Sequence, residues 1–243
     1  MREIVLPFYG NVEHKEKNGS HDLVTEIDVR VENFLREELA NLFPEIAFVG
    51  EETGGERTAS RKWLCDPIDG TSYFIRGVPF CTTMLALIEN DIVTFSIIYD
   101  FIGNKLYHAT RGKGAFCDNE PIHVSDRPLK KSFLSWEIQP TIDADLVMHK
   151  RLCKDALFTK MICAGYEFVL VATGKAEGRL TINPSGKDYD FAPGSLLVEE
   201  AGGKVANLGS GVYDYRNLRF LATNPVVFKE LTEGPDAIFP ITE

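Results

Sequence analysis

Two carboxylates lie three residues apart in the segment Asp66-Pro67-Ile68-Asp69-Gly70-Thr71, which follows the apolar run Trp63-Leu64-Cys65. The proline fixes φ between the acids, and the glycine lets the backbone come close to a ligand. Mg²⁺ takes oxygen ligands and is commonly shared between a few carboxylates and substrate phosphates. The segment therefore suits a divalent cation beside a phosphate. Because Asp-Pro and Asp-Gly are also common turn dipeptides, the segment alone leaves an ordinary turn open.

Other acids lie at the ends of predicted elements. Glu51 follows a short strand, Asp28 lies in the first turn of a helix, and Asp190 begins another helix. Each has a simpler explanation when it is taken alone: a solvated turn for Glu51, a capping arrangement with Thr25 for Asp28, and an N-cap for Asp190. Carboxylates at element ends can converge on one crevice, so the combination indicates a metal site more strongly than any one acid.

The elements that must position these acids follow from hydrophobic periodicity. Apolar residues recur at spacings of three and four between Val31 and Leu42, which predicts a helix over 25–42 that Pro44 ends. Further patterns predict strands at 47–49, 63–65, 83–89, 92–99, 106–109, 116–124 and 132–136, and helices at 145–158, 166–176 and 190–201. The strands cluster in consecutive hairpins, as around Asn90-Asp91, which favours a layered α+β fold over a doubly wound parallel sheet.

Composition excludes several classes of protein. The 243 residues are 44% hydrophobic and 26% charged, and no apolar run approaches the 18 residues of a membrane span. A formal charge of −10 disfavours nonspecific binding to nucleic acid. Residues 1–7 lack the features of a signal peptide. Five scattered cysteines without CxxC spacing indicate a reducing compartment and argue against zinc, so the chain is predicted to be cytoplasmic, with no membrane or nucleic-acid partner.

Four motifs together resemble those of the inositol monophosphatase family, the lithium-sensitive, Mg²⁺-dependent phosphatases. They are Val24-Thr25-Glu26-Ile27-Asp28, Gly50-Glu51-Glu52, Asp66-Pro67-Ile68-Asp69-Gly70-Thr71, and Asp190-Phe191-Ala192-Pro193-Gly194 followed by Glu200-Ala201-Gly202-Gly203. The resemblance implies an α+β fold, a layered αβαβα sandwich of the inositol monophosphatase / fructose-1,6-bisphosphatase type. It implies one domain over 1–243, with a metal-binding α+β part at about 1–130 and an α/β part at about 131–243.

The same resemblance implies a role for individual residues. It assigns metal coordination to Glu51, Asp66, the backbone carbonyl of Ile68, Asp69 and Asp190. Of these, Asp66 would bridge two ions, and Glu51 would also help to activate water. Asp69 and Asp190 would also contact the substrate.

Further residues complete the implied site. Thr71 would activate water together with Glu51, and Asp28 would hold the threonine hydroxyl. The backbone N–H groups of Gly70 and Thr71, with Lys17, would bind the phosphate. Asn183 would contact the substrate.

The implied activity is hydrolysis of a small phosphate monoester by metal-activated water, with inositol 1-phosphate as the default substrate and a homodimer as the expected assembly. Two or three Mg²⁺ ions are expected, Mn²⁺ is a possible replacement, and Ca²⁺ or Li⁺ would inhibit. Histidinol phosphate, a sugar bisphosphate or a nucleotide 3′-phosphate are alternative substrates. A binding or regulatory protein that keeps the fold without turnover is the alternative of another class.

The sequence departs from the family pattern in places. Tyr73 stands where the family usually has Asn, and Tyr189 where it usually has Trp. The loop Leu180–Lys187 lacks the carboxylate that binds an inositol hydroxyl in many relatives, and the small-residue signature at Ala164–Glu167 is weak. The first helix is short. These changes leave the metal ligands in place and put the choice of substrate in question.

Overall fold

A computed structural model of the protein describes residues 1–16 and 23–242. Lys17 therefore lies outside the described residues. The described strands are β1 His14–Glu16, β2 Leu23–Thr25, β3 Ala47–Gly50, β4 Gly54–Gly55, β5 Arg61–Asp69, β6 Thr82–Glu89, β7 Ile92–Asp100, β8 Lys105–Thr110, β9 Ala115–Cys117, β10 Glu120–Pro121, β11 Ser132–Glu137, β12 Ala156–Thr159, β13 Gly178–Thr181, β14 Lys204–Asn207 and β15 Phe220–Thr223. The helices are α1 Arg2–Val5, α2 Glu26–Leu42, α3 Thr71–Ile75, α4 Asp143–Leu152, α5 Ala164–Ala172, α6 Asp188–Glu200 and α7 Pro225–Thr232, with a 3₁₀ turn at Leu6–Phe8.

The larger sheet has eight strands in the order β10-β9-β8-β7-β6-β5-β3-β4. Strands β5 to β9 form an antiparallel meander, and β3 joins β5 in parallel. The predicted hairpin between β6 and β7 is confirmed. Its two turn residues, Asn90 and Asp91, both have positive φ (50° and 65°), as a turn that matches the strand twist requires.

The smaller sheet has five strands in the order β12-β11-β13-β15-β14. Helices α5 and α6 lie between the two sheets, where they share one core with β6, β7 and β15. Helices α1 and α2 pack on the outer face of the larger sheet, and α4 and α7 pack on the outer face of the smaller one. The layer order is therefore α-β-α-β-α, and the predicted layered α+β fold is confirmed. The division into parts at about residue 130 stays a prediction.

Several predicted elements have other bounds in the structure, among them the strand predicted over 63–65, which runs from Arg61 to Asp69 and includes both acids of the predicted turn. The helix predicted over 145–158 ends at Leu152, and Ala156–Thr159 instead forms an edge strand parallel to β11. The strand predicted over 116–124 is broken after Cys117 by a tight turn with positive φ at Asp118 and Asn119. The helix predicted over 166–176 ends at Ala172, since Gly174 has a φ of 66° that no helix interior adopts.

Helix α2 confirms the predicted capping arrangement at its first turn. The Thr25 hydroxyl accepts from the backbone N–H groups of Ile27 and Asp28, and the Asp28 carboxylate accepts from the Thr25 N–H. None of the helices in residues 1–16 and 23–242 combines the length and apolar character that crossing a membrane requires.

Candidate active site

Three carboxylates from two elements converge at the end of β5. One oxygen each from Asp66, Asp69 and Asp190 lies within 4.8 Å of the others. Residues three apart on a regular strand point to opposite faces, but the pairing register of β5 shifts between Asp66 and Asp69. The irregularity at Pro67 and Ile68 therefore turns both acids toward the same point, where α6 supplies Asp190.

Within the described residues, one oxygen of this cluster is left without a hydrogen-bond partner. Asp66 is 2% exposed, and among the described residues its Oδ1 has no hydrogen-bond partner. Burial, followed by the nearby Glu51, Asp190 and Asp69, raises the pKa of Asp66 well above its ordinary value. Burial, Glu51 and Asp69 raise the pKa of Asp190 to about 8. A buried, unpartnered carboxylate oxygen is costly, so this all-oxygen donor set fits a hard divalent cation.

The Asp69 carboxylate accepts four hydrogen bonds. Its Oδ1 accepts from the backbone N–H of Ala164 (3.0 Å), and its Oδ2 accepts from the N–H of Gly165 (2.6 Å), the Cys163 thiol (3.0 Å) and the Thr82 hydroxyl (3.1 Å). Burial nevertheless outweighs these bonds and raises the pKa of Asp69. The start of α5 thus fixes the carboxylate, a role for Cys163 and Thr82 that the sequence does not reveal.

Thr71 and Asp28 meet as the resemblance implies. The Thr71 Oγ1 lies 3.2 Å from Asp28 Oδ1 and 2.9 Å from the carbonyl oxygen of Ile68. Asp28 is 1% exposed, and its Oδ2 accepts from the N–H (2.8 Å) and the hydroxyl (2.6 Å) of Thr25. The helix cap therefore also orients the acid that faces the threonine. Gly70, with a φ of 85°, makes the left-handed turn that starts α3.

Glu51 lies beside the cluster at the end of β3. Its backbone N–H donates to the carbonyl oxygen of Cys65 at 3.0 Å, which ties this residue to β5. Its charge contributes to the raised pKa values of both Asp66 and Asp190. The structure thus brings Glu51 into the electrostatic environment of Asp66 and Asp190.

A buried acid on α2 shapes the loop that carries Glu51. Glu32 is fully buried, and its carboxylate accepts from the backbone N–H groups of Glu52 (2.7 Å) and Thr53 (2.9 Å). A Cβ added at Gly50 would lie 2.0 Å from the Glu32 Cδ, so only glycine fits there. The sequence signal that could have identified Glu32 is an acid on the buried face of α2, one turn after Asp28.

One further residue predicted from the sequence, Asn183, is not drawn into the cluster. The side-chain amide of Asn183 donates to both oxygens of Asp145, at 2.8 and 2.7 Å, so it anchors the loop before α6 to α4. Lys17 lies outside the described residues. The loop is also held by Glu137, which accepts from the N–H (2.7 Å) and the hydroxyl (2.9 Å) of Ser185.

The two tyrosines that replace family residues have defined surroundings. The Tyr73 hydroxyl accepts from the backbone N–H of Ile162 at 3.2 Å. Burial, Glu51, Asp190 and Asp66 raise the pKa of Tyr189, so this ring lies near the acidic cluster as a neutral phenol.

Comparison with known proteins decides the family. The sequence model of the inositol monophosphatase family matches residues 5–234. The chain belongs to the inositol monophosphatase family. It is 33% identical to inositol monophosphatase 1 of Solanum lycopersicum over 96% of this chain and 89% of that protein. It is 30% identical to inositol monophosphatase 1 of Mus musculus over 93% of this chain and 85% of that protein.

Solved structures of the family share the fold. The Thermotoga maritima IMPase superposes with a TM-score of 0.85 at 27% identity, over 94% of this chain and 89% of that one. The suhB protein of Bartonella henselae gives 0.84 at 26% identity, over 93% and 90%. Membership confirms the enzyme class predicted from the sequence, a metal-dependent phosphoric monoester hydrolase that acts on small phosphorylated compounds.

Proposed function

We propose that this chain is a Mg²⁺-dependent phosphomonoesterase with inositol 1-phosphate as its default substrate. The observation that carries the proposal is the convergence of three buried carboxylates beside the Thr71–Asp28 pair, with Asp66 Oδ1 left unpartnered. Two or three ions would be held by Glu51, Asp66, the carbonyl of Ile68, Asp69 and Asp190. Mn²⁺ would replace Mg²⁺, whereas Ca²⁺ or Li⁺ would inhibit. Bound ions would offset the charge of the phosphate and lower the pKa of water.

The side chains of the protein would position and deprotonate the attacking water. The Thr71 hydroxyl has two acceptors within reach, Asp28 Oδ1 at 3.2 Å and the carbonyl oxygen of Ile68 at 2.9 Å. With its hydrogen donated to Asp28, Thr71 Oγ1 would accept a hydrogen bond from the water. The Glu51 carboxylate would accept the other proton as a general base. The backbone N–H groups of Gly70 and Thr71 would hold the phosphate oxygens. Positioning and electrostatics supply most of the catalysis in phosphoryl transfer, which agrees with a mechanism in which water is the nucleophile.

Four further residues are proposed to contact the phosphate or the remainder of the substrate. Lys17 would contact the phosphate. The Asn183 Nδ2 donates to the Asp145 carboxylate, so its Oδ1 is the atom that would accept a bond from a substrate hydroxyl. Asp69 and Asp190 would accept from other hydroxyls with the oxygens that do not bind metal. Because no carboxylate stands in Leu180–Lys187, recognition of inositol rests on fewer charged contacts than in many relatives.

A phosphate-release screen tests the proposal. The purified chain with Mg²⁺ should release phosphate from inositol 1-phosphate. The screen should include histidinol phosphate, fructose 1,6-bisphosphate and adenosine 3′-phosphate, which represent the alternative substrates. NADP belongs in the same panel, since a solved structure of this fold at 24% identity is that of an IMPase/NADP phosphatase. Release from none of these compounds would contradict the assignment.

Calorimetry separates an enzyme from a binding or regulatory protein. Both would bind Mg²⁺, but only the enzyme would turn over a substrate from the panel. All the acids that the resemblance assigns are present, which supports the enzyme. Mg²⁺ binding without turnover on the whole panel would favour the binding protein.

The proposal also covers the oligomeric state and the cellular compartment of the protein. We expect a homodimer on the strength of the family resemblance, and sedimentation velocity of the purified chain measures it. The five cysteines are all free thiols, which supports a reducing compartment such as the cytoplasm.

A further inference from the structure

A cavity of about 300 Å³ with a basic lining lies at the start of α6, where Asp188 forms part of its wall. Its polar lining comprises Arg57, Lys62, Lys187, Asp188, Tyr215 and Arg216. Four of these residues are cations and one is an acid, in a chain whose formal charge is −10. A concave surface that concentrates one sign of charge raises the local concentration of the opposite ion, so this cavity selects anions.

Two of the four cations lack a compensating charge. Arg57 pairs with Asp188, and Arg216 makes two bonds to Asp214 at 2.9 and 3.0 Å. Within residues 1–16 and 23–242, by contrast, neither Lys62 nor Lys187 forms an ion pair with a carboxylate.

Of these two lysines, Lys62 gives the stronger evidence for an anion in the cavity, because its charge is buried. The residue is 4% exposed, and its Nζ donates to the carbonyl oxygen of Ala59 at 2.9 Å. An ammonium group carries three donors, so two remain for a ligand. Burial of a cation without a counter-charge is unfavourable, and an anion in the cavity would remove that cost.

The cavity and the acidic cluster share two elements. Lys62 and Asp66 lie four residues apart on β5, hence on one face and about 13 Å apart along the strand. Asp188 in the cavity wall and Asp190 in the cluster lie two residues apart on α6. The backbone N–H of Lys187 donates to the Asp190 carboxylate. The cavity wall and the cluster are therefore connected through the start of α6.

We propose that the cavity is a subsite for a second phosphoryl group, so that the preferred substrate is a bisphosphate whose other phosphate is hydrolysed at the acidic cluster. This inference rests on the proposed phosphatase function. The second phosphate would accept from Lys62 and Lys187, and Arg57 would be shared between it and Asp188.

The test compares matched substrates with and without the second phosphate. The pairs are inositol 1-phosphate with inositol 1,4-bisphosphate, and fructose 1-phosphate with fructose 1,6-bisphosphate. Lys62→Met and Arg57→Gln should each lower kcat/KM for a bisphosphate about tenfold and leave kcat/KM for its monophosphate unchanged, because each removes one charged hydrogen bond to the ligand. Lys113→Gln, at an exposed lysine elsewhere, should change neither value. An equal loss on both substrates, or an unchanged ratio, would overturn the subsite.

A binding measurement separates failure of the subsite from failure of the phosphatase. In EDTA the acidic cluster repels anions, so inorganic phosphate should bind the unmodified protein at the cavity and bind Lys62→Met about tenfold more weakly. Absence of phosphate binding by the unmodified protein would overturn the cavity as an anion site. Phosphate binding without turnover of any substrate would instead overturn the proposed function, and with it the role of the cavity in substrate recognition.

Discussion

Asp66 is the residue on which the site depends most directly. It is buried, one of its oxygens has no partner among the described residues, and three neighbouring acids raise its pKa. In Asp66→Asn we expect activity to fall by about 100-fold or more, since loss of outer-shell partners alone commonly costs about 10–100-fold. The variant should stay folded, because the substitution keeps the shape and removes a repelled charge. Phosphate release and circular dichroism measure the two effects.

The matched control for this variant is Asp126→Asn, which removes a charge from an exposed residue. It should keep full activity. If Asp66→Asn kept near wild-type turnover, the assignment of Asp66 to the metal would be wrong.

At Thr71 the proposed mechanism depends on a hydroxyl group rather than on a charge. Its Oγ1 lies 3.2 Å from Asp28 Oδ1, so the proposed role requires the oxygen and not the methyl group. Thr71→Val keeps the volume and should lower kcat by about 100- to 10,000-fold, which is the range for a positioned proton acceptor. Thr71→Ser should retain most of kcat. Equal losses in both variants would indicate packing as the role of this residue.

The titration of Asp190 should make the free energy of unfolding of the metal-free protein depend on pH. Burial and nearby acids raise its pKa from 3.8 in the unfolded chain to about 8 in the folded protein. The folded protein therefore holds a proton that the unfolded chain has released, so the contribution of this group is fully present below pH 3.8 and is lost as the pH rises through about 8. Urea unfolding in EDTA at several pH values measures this decline.

The decline should be smaller in Asp190→Asn, which has no group to titrate there. Mg²⁺ should also reduce it, since a bound cation favours the ionised carboxylate. A decline of the same size in the wild type and in Asp190→Asn would assign the pH dependence to other groups.

At the scale of elements, Gly50 and Glu32 couple helix α2 to the loop that carries Glu51. Because an added Cβ would lie 2.0 Å from the Glu32 Cδ, Gly50→Ala should lower the free energy of unfolding by about 1–3 kcal/mol, the usual cost of overpacking. It should also reduce activity, since the displaced carboxylate holds the N–H groups of Glu52 and Thr53. Urea denaturation measures the loss of stability, and phosphate release measures the loss of activity.

Gly211→Ala is the matched control, because a Cβ there would meet only one atom, at 3.9 Å. Its stability should stay within about 0.5 kcal/mol of the wild type. In the double variant Gly50→Ala with Glu32→Ala, the cost should be less than additive, as contacting residues are coupled. Simple additivity would contradict the contact.

The elements also show where sequence reasoning succeeds and where it fails. The helix over 25–42 and the hairpin at Asn90-Asp91 were predictable because their signals are local: a capping residue with a period of three to four, and a two-residue turn. The helix predicted over 145–158 was wrong at its end, because the pairing of Ala156–Thr159 with β11 is a contact distant along the chain. The proposed metal ligands were predictable only as a set of motifs.

The contacts that hold the site residues in place could not be predicted from the sequence, for the same reason. Cys163 and Thr82 contact Asp69 across 94 and 13 residues, and Glu32 reaches the loop after Glu51 across 20. No periodicity or turn chemistry encodes such contacts. The register shift that turns Asp66 and Asp69 toward one point likewise depends on pairing with β6.

At the scale of the whole molecule, the acidic cluster joins the two parts predicted at about 1–130 and 131–243. Asp66 and Asp69 belong to the larger sheet, Asp190 belongs to α6, and the start of α5 holds Asp69. One core is also shared by β6 and β7 with α5, α6 and β15. The two parts are therefore expected to unfold together as one cooperative unit.

Scanning calorimetry tests this expectation with and without Mg²⁺. In both conditions we expect a single transition whose calorimetric enthalpy equals the van't Hoff enthalpy, because opening either part would expose the shared core. Mg²⁺ at a hundred times its Kd should add about 2.7 kcal/mol to the free energy of unfolding and raise Tm. Asp66→Asn should keep the single transition and lose most of the Mg²⁺ shift. Two resolved transitions, of which Mg²⁺ moved only one, would show that the parts are independent domains and that the metal stabilises one alone.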